Sequence, residues 1–366
     1  MRTRINNRTV SLLAVALGAA VWLFAAIVLV QTLMPGPSCG YTWRTAEIPR
    51  DKRWRLVDSI AVSPKGSVFV GRESSGVFRS DDGGQHWKHC ISGMKDCSVD
   101  AVAVDARGTV FAGTGRGIYR SVDNGKTWAL ANKGLPACSV LTLATDSRGR
   151  TYAGSQDGAV YESPDSTVHW KRIRGGVGEW DYVKSLGVTH KGVIFCTEKR
   201  GLWRSADGGD HWINLTPEWS TGKLHESGDA IAVDSQDRVY VAVYLSEYLG
   251  EGKSKTESFI MRSDDHGTHW TRLYPGAKKL RCSAVAVNAQ GHVIAGTERG
   301  LYISLDHGAS WRDVNASLSS RIKQLLKGGD YIPCVTVDSR GAVYAVSRFT
   351  DVISGVPIKT ANRSTR

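Results

Sequence analysis

SADGGDHW, at positions 205–212, decides the fold because it is one of six copies of a single pattern, Ser-x-Asp-x-Gly-x-x-Trp. The other copies are SDDGGQHW (80–87), SVDNGKTW (121–128), SPDSTVHW (163–170), SDDHGTHW (263–270) and SLDHGASW (304–311). The leading serines, Ser80, Ser121, Ser163, Ser205, Ser263 and Ser304, are separated by 41, 42, 42, 58 and 41 residues. A repeat of about 40–45 residues is propeller spacing, in which one small sheet recurs around an axis.

The pattern reads as a hairpin turn. Serine hydroxyls and the carboxylates of Asp82, Asp123, Asp165, Asp207, Asp265 and Asp306 bond backbone amides inside such turns. Gly84, Gly125, Gly209, Gly267 and Gly308 supply a left-handed backbone position. The third copy has Thr167 at that place, so its turn is expected to be distorted. Trp87, Trp128, Trp170, Trp212, Trp270 and Trp311 follow the turn and suit a wedge between blades, each burying ~150–250 Å².

Outward from each signature the whole unit recurs. Short apolar runs such as GVFR (76–79) and GIYR (117–120) precede it, and runs such as SVFVG (67–71) and TVFAG (109–113) come before those. A third run ends in a polar turn, as in IAVSPKG (60–66) and VAVDARG (102–108). β-branched and aromatic runs divided by Asp, Ser and Gly turns predict antiparallel strands A to D. The A–B pairs number seven, the last being CVTVDSRGAVYAV (334–346), followed by GVPIKT (355–360) without a signature. YTWRTAE (41–47) supplies the missing outer strand, and closure by that strand leaves no free sheet edge. The expected fold is all-β: a seven-bladed β-propeller over 41–360, its N-terminal strand closing the last blade, preceded by one transmembrane helix.

These signatures resemble the Asp boxes of the BNR-repeat propellers, over essentially the whole chain beyond its apolar N-terminal stretch. That superfamily includes sialidases, xyloglucan-type endoglucanases, sortilin-like receptors and photosystem II assembly factors. The resemblance implies the fold and leaves the activity open, since one scaffold carries all of these.

Arg2, Arg4 and Arg8 precede an uncharged stretch whose apolar heart, 10–34, would make a helix of about 37 Å at ~1.5 Å per residue. That length spans a ~30 Å hydrocarbon core and exceeds the apolar run of a cleaved signal peptide. The arginines set the expected topology: a cytoplasmic tail (1–9), a signal-anchor helix (10–34), a linker (35–40), an extracytoplasmic propeller (periplasmic in a bacterium) and a C-terminal tail (361–366). The formal charge of +12, from 47 basic and 35 acidic residues, is spread over every blade. No run of it marks a nucleic-acid surface, so no nucleic-acid partner is expected. The seven cysteines are odd in number, and Cys90 and Cys97 flank a short loop that suits a local disulfide. No C-x-x-C pair, H-E-x-x-H, G-x-S-x-G or phosphate loop occurs, so neither metal nor cofactor is expected. Six of the ten histidines fall inside the signatures, which explains them as turn residues.

Strand alternation places the A–B turns and signatures on one face and the channel mouth on the other, with the D–A and B–C connections. Binding residues are expected at that mouth: Arg55, Asp58, Asp100, Trp180, Asp181, Tyr182, Lys184, Asp229, Arg281 and Tyr331. Tyr248 joins them from one long B–C connection, YLSEYLGEGKSKTES (244–258), which reads as a loop. The plainer reading of each acid is a strand-end residue satisfying backbone amides.

The resemblance offers two enzymatic readings. A sialidase-like site needs three arginines, a Tyr nucleophile with its Glu, and an Asp acid/base. Arg55 lies where the family has Phe/Tyr-Arg-Ile-Pro, without the Pro, and Arg281 is a second arginine, but no third stands out. A xyloglucanase-like site needs two carboxylates ~5–10 Å apart, in that family facing a groove between two propellers, and only one propeller fits here. The favoured expectation is a membrane-tethered extracytoplasmic module that binds a protein or glycan, as the photosystem assembly factors do, without catalysis. A glycoside hydrolase is the alternative.

Overall fold

A computed structural model describes residues 41–49, 57–164, 168–174, 182–198, 201–216, 225–250, 253–276, 280–318, 320–327, 331–347 and 351–357. The expected membrane helix and both tails lie outside them. Among the described residues no helix is long and apolar enough to cross a membrane.

Seven four-stranded antiparallel sheets form the blades. The first consists of Val57–Val62, Val68–Arg72, Gly76–Ser80 and Lys88–His89, in that order from strand A to strand D. The last is built from both ends of the chain. Its inner strands are Cys334–Val337, Val343–Val346 and Asp351–Pro357, and Tyr41–Glu47 pairs antiparallel with the third from Tyr41 opposite Pro357 to Glu47 opposite Asp351. Inner strands of successive blades touch all round the ring, including first against last. The expected architecture and its closure are therefore present.

The core lies at the blade boundaries. Phe69 and Val77 of the first blade pack with Val110 and Tyr119 of the second, and Phe195 and Leu202 of the fourth pack with Val241 and Phe259 of the fifth. Second strands such as Val110–Thr114 are buried along their length, which is why they read as unbroken apolar runs. The neighbouring inner strand approaches these closely: a Cβ on Gly113 would lie 2.9 Å from the Val140 carbonyl oxygen, and one on Gly296 2.6 Å from that of Ile332.

The signature turns share one bonding scheme. Ser121 Oγ donates to Asp123 Oδ1 at 2.8 Å and accepts the Gly125 amide at 2.8 Å, and the Asp123 carboxylate accepts the Thr127 amide at 2.9 Å. The same serine–aspartate bond recurs at Ser80, Ser205, Ser263 and Ser304, at 2.7–2.9 Å. Two consecutive residues are left-handed, not one: Asn124 (φ 61°) and His307 (φ 58°) precede their glycines in that region. The turn around Asp165 and Thr167 lies outside the described residues. Trp128 donates to the Cys90 carbonyl of the preceding blade at 3.0 Å and Trp170 to that of Ala131 at 2.7 Å, so both wedge between blades. Trp87, Trp212, Trp270 and Trp311 donate to the carbonyl of their own turn glycine at 3.0–3.2 Å, Trp212 also to that of Ile173 of the preceding blade at 3.4 Å, and all four rings pack in the boundary clusters.

Two expectations are corrected. Within 244–258, residues 244–250 and 253–258 are not loop but paired strand. Val239–Gly250 and Lys253–Ser263 run in register from Val239 opposite Ser263 out to Gly250 opposite Lys253, and His225–Val233 pairs alongside as far as Ser246. Ladder hydrogen bonds satisfy the backbone there, so the insertion is a raised part of the fifth blade. Cys90 and Cys97 are free thiols. The Cys90 thiol contacts the Lys88 carbonyl at 3.5 Å, and burial raises both thiols above their ordinary pKa.

Candidate functional site

Among the described residues, five inner strands carry one unpaired residue at the mouth end: Asp58, Asp100, Leu141, Asp229 and Ser283. Each is a β-bulge, a device that re-aims a side chain and is common beside binding sites. Three of the five are aspartates, all named from the sequence. The Ser283 hydroxyl is spent on the backbone, donating to the Ile332 carbonyl at 2.9 Å and so stitching the sixth blade to the seventh.

Asp229 organises the best-defined group at the mouth. Its Oδ1 accepts Lys184 Nζ at 3.2 Å from the fourth blade, and its Oδ2 accepts Arg281 NH2 at 3.4 Å from the sixth. The Asp229 side chain is 11 % exposed and that of Arg281 49 %, so a largely covered carboxylate holds a half-exposed guanidinium. Arg281 also lies over the Tyr244 ring, 4.7 Å from its centroid, and Lys184 lies 5.8 Å from the centroid of exposed Tyr182. Two cations share one carboxylate, leaving net positive charge on aromatic supports. Such a guanidinium presents its remaining N–H groups in a rigid fork suited to a carboxylate or phosphate. Lys184, Asp229, Arg281 and Tyr182 were named from the sequence. Tyr244 was not, because its role depends on the raised hairpin bringing it under Arg281.

Asp100 stands apart from this group. Its carboxylate lies 3.5 Å from Ser139 Oγ of the third blade. Burial, with the neighbouring charges of Glu73 and Asp96, holds its pKa up to about 6. A carboxyl whose pKa is raised toward neutrality suits general acid catalysis.

Tyr331 precedes the inner strand of the seventh blade. The Tyr248 backbone pairs with Ser254 in the raised hairpin. Asp58 occupies its bulge, and its side chain lies outside the described set, as do Arg55, Trp180 and Asp181.

No family model and no curated protein matches this chain. Solved structures match its fold. A xyloglucanase of glycoside hydrolase family 74 from Xanthomonas campestris superposes with a TM-score of 0.62 at 18 % identity, covering 87 % of this chain and 54 % of the enzyme. The chain thus spans about half the length of that enzyme. YCF48 bound to D1 peptide superposes with a TM-score of 0.63 at 15 % identity, covering 86 % of this chain and 96 % of YCF48. Virginiamycin B lyase from Staphylococcus aureus gives 0.64 at 13 % identity, covering 86 % and 99 %. At these identities the likeness establishes the shared seven-bladed propeller fold, which serves both enzymes and a peptide binder.

Proposed function

We propose that this protein is a non-catalytic binding module, tethered by the 10–34 helix with its propeller outside the cytoplasm, that docks a protein segment at the channel mouth. The carrying observation is the half-exposed Arg281, stacked on Tyr244 and held by an Asp229 that it shares with Lys184. The group fits an acidic side chain or a terminal carboxylate, and the raised hairpin of the fifth blade stands beside it as a wall. The likeness in size and fold to a propeller bound to a peptide supports the reading.

A photo-crosslinking residue in place of Tyr248, in native membranes, tests it. A discrete protein adduct that disappears in Arg281→Ala is the expected result. An adduct indifferent to Arg281, or none from a correctly inserted chain, would sink the proposal.

Glycoside hydrolysis is the second reading, favoured by one observation: the Asp100 carboxyl held up to about 6. It requires release of reducing ends from xyloglucan or a sialoside, abolished in Asp100→Asn.

A further inference from the structure

On the face of the ring that also holds the mouth, the D–A connection from the sixth blade to the seventh passes through a 3-10 turn, Asn315–Ser317, and helix α1, Ser320–Lys327. The segment is fastened by Leu318 and Ile322, both buried, and by Leu326, which packs over Gly300. Between helix and blade lies a cavity of about 600 Å³. That is within the range of about 300–1,000 Å³ usual for small-molecule sites.

Charge in this cavity is one-sided. Arg299 enters from the B–C turn, and Lys323 and Lys327 enter from the helix; Asp313 is the one acid in the lining. Asp313 is engaged with the backbone, accepting the Asn315 amide at 2.7 Å. Among the described residues, none of the three cations forms an ion pair. Lys323 Nζ donates to the Ala316 carbonyl at 2.8 Å, which fixes its ammonium in the wall. Lys323 and Lys327 lie one helical turn apart, an arrangement of like charges that disfavours the helix. A bound anion would offset that repulsion. The floor is apolar, formed by the half-buried Tyr302 ring and Leu326. An inorganic anion makes no use of such a floor, and a neutral sugar makes no use of the cations.

We propose that this cavity binds an acidic sugar, its ring lying against Tyr302 and its carboxylate between Arg299 and Lys327. Aromatic faces stack on the C–H face of a sugar ring, and guanidinium and ammonium groups bind the carboxylate by charge-assisted hydrogen bonds. The cavity shares no residue with the Tyr182, Lys184, Asp229, Tyr244 and Arg281 group, so it stands or falls independently of peptide docking there.

Calorimetric titration of the full chain with trigalacturonate, its neutral trigalactose counterpart and inorganic phosphate tests the proposal. Trigalacturonate is expected to bind, and the neutral sugar at least tenfold more weakly. Arg299→Gln combined with Lys327→Gln should weaken trigalacturonate by about tenfold or more, the loss typical of a charge-assisted hydrogen bond. Both side chains are exposed, and an unchanged unfolding midpoint verifies that the double variant folds. Tyr302→Leu should weaken trigalacturonate without altering phosphate. No heat of binding at millimolar trigalacturonate, equal affinity for phosphate, or indifference to the double substitution would each overturn the site.

Discussion

Arg174 and Glu198 form an ion pair across the boundary between the third and fourth blades, both almost wholly buried. A second contact runs from Arg174 NH2 to Glu198 Oε2 at 3.3 Å, and Arg174 NH1 also reaches the Gly158 carbonyl. The guanidinium is flanked by the rings of Trp203 and Trp212, with centroids at 4.6 and 5.4 Å. The arginine comes from an outer strand and the glutamate from the second strand of the next blade, so the pair ties two sheets that share no backbone hydrogen bonds.

Removing Glu198 leaves the buried Arg174 guanidinium without its carboxylate. Glu198→Ala is therefore expected to destabilise by about 3–5 kcal/mol, while Arg174→Met with Glu198→Leu costs far less, because no charge is left buried. Urea unfolding of the single and double variants checks this. A single variant as stable as the parent would mean that water reaches the pair.

Ring closure carries a second prediction. Tyr41 opens the N-terminal strand, is buried, and its hydroxyl meets His292 Nδ1 at 3.0 Å and Asn288 Nδ2 at 3.3 Å. It thus joins the closing strand to the A–B turn of the sixth blade. Tyr41→Phe should cost about 1 kcal/mol, the usual net value of one such hydrogen bond. Deleting 1–47 removes the whole strand and uncovers the edge of Asp351–Pro357. That chain is expected to associate or to be cleaved rapidly near its C-terminus, as light scattering and limited proteolysis would reveal.

Acid stability follows from the signature turns. The Thr127 hydroxyl holds Asp123 at about 2, and the Ser310 hydroxyl does the same for Asp306. Backbone amides of His86 and His211 likewise lower Asp82 and Asp207. The unfolded value is ~3.9, so these groups stabilise the fold above about pH 4, and that contribution is lost as pH falls toward 2. The urea midpoint should drop over that interval, less steeply in Thr127→Ala with Ser310→Ala. Asp100 has the opposite sign: its folded value is raised, so its ionisation disfavours the fold as pH rises from about 4 through 6. Asp100→Asn should be more stable than the parent at pH 7.5 by about 1 kcal/mol, after discounting for screening at a half-buried site, and no more stable at pH 4.

The turns made the fold legible, because each residue type in Ser-x-Asp-x-Gly-x-x-Trp has one local task and the period counts the blades. Trp43 in YTWRTAE was legible as the closing strand for the same reason. Features made by contact between blades were not. That Arg281 rests on Tyr244 depends on how far the fifth blade rises, and the hairpin is not legible in the sequence because polar 253–258 lacks strand alternation. The bulges at Asp100 and Asp229 follow from the register of two paired strands, which neither strand carries alone. Helix α1 has ordinary sequence start and stop signals, Ser319 ahead of SRIKQLLK and Gly328–Gly329 behind it, but eight residues are too few for a helical period to stand out among strands.

The mouth yields a final prediction in which two substitutions within one cluster act in opposite directions. Arg281→Gln removes the half-exposed cation and leaves Asp229 with Lys184, so the local charge becomes neutral. Asp229→Asn leaves both cations without their shared anion, so the local charge rises. For an acidic partner segment, the first change should weaken binding about tenfold, the loss of one charge-assisted contact. The second should strengthen binding at low salt and steepen its salt dependence, since the added attraction is screened over a Debye length of ~10 Å at 0.1 M. Fluorescence anisotropy of a labelled acidic peptide at two salt concentrations separates the effects. Loss of binding in both variants would mean that Asp229 acts by positioning Arg281 over Tyr244, and that geometry outweighs net charge at this mouth.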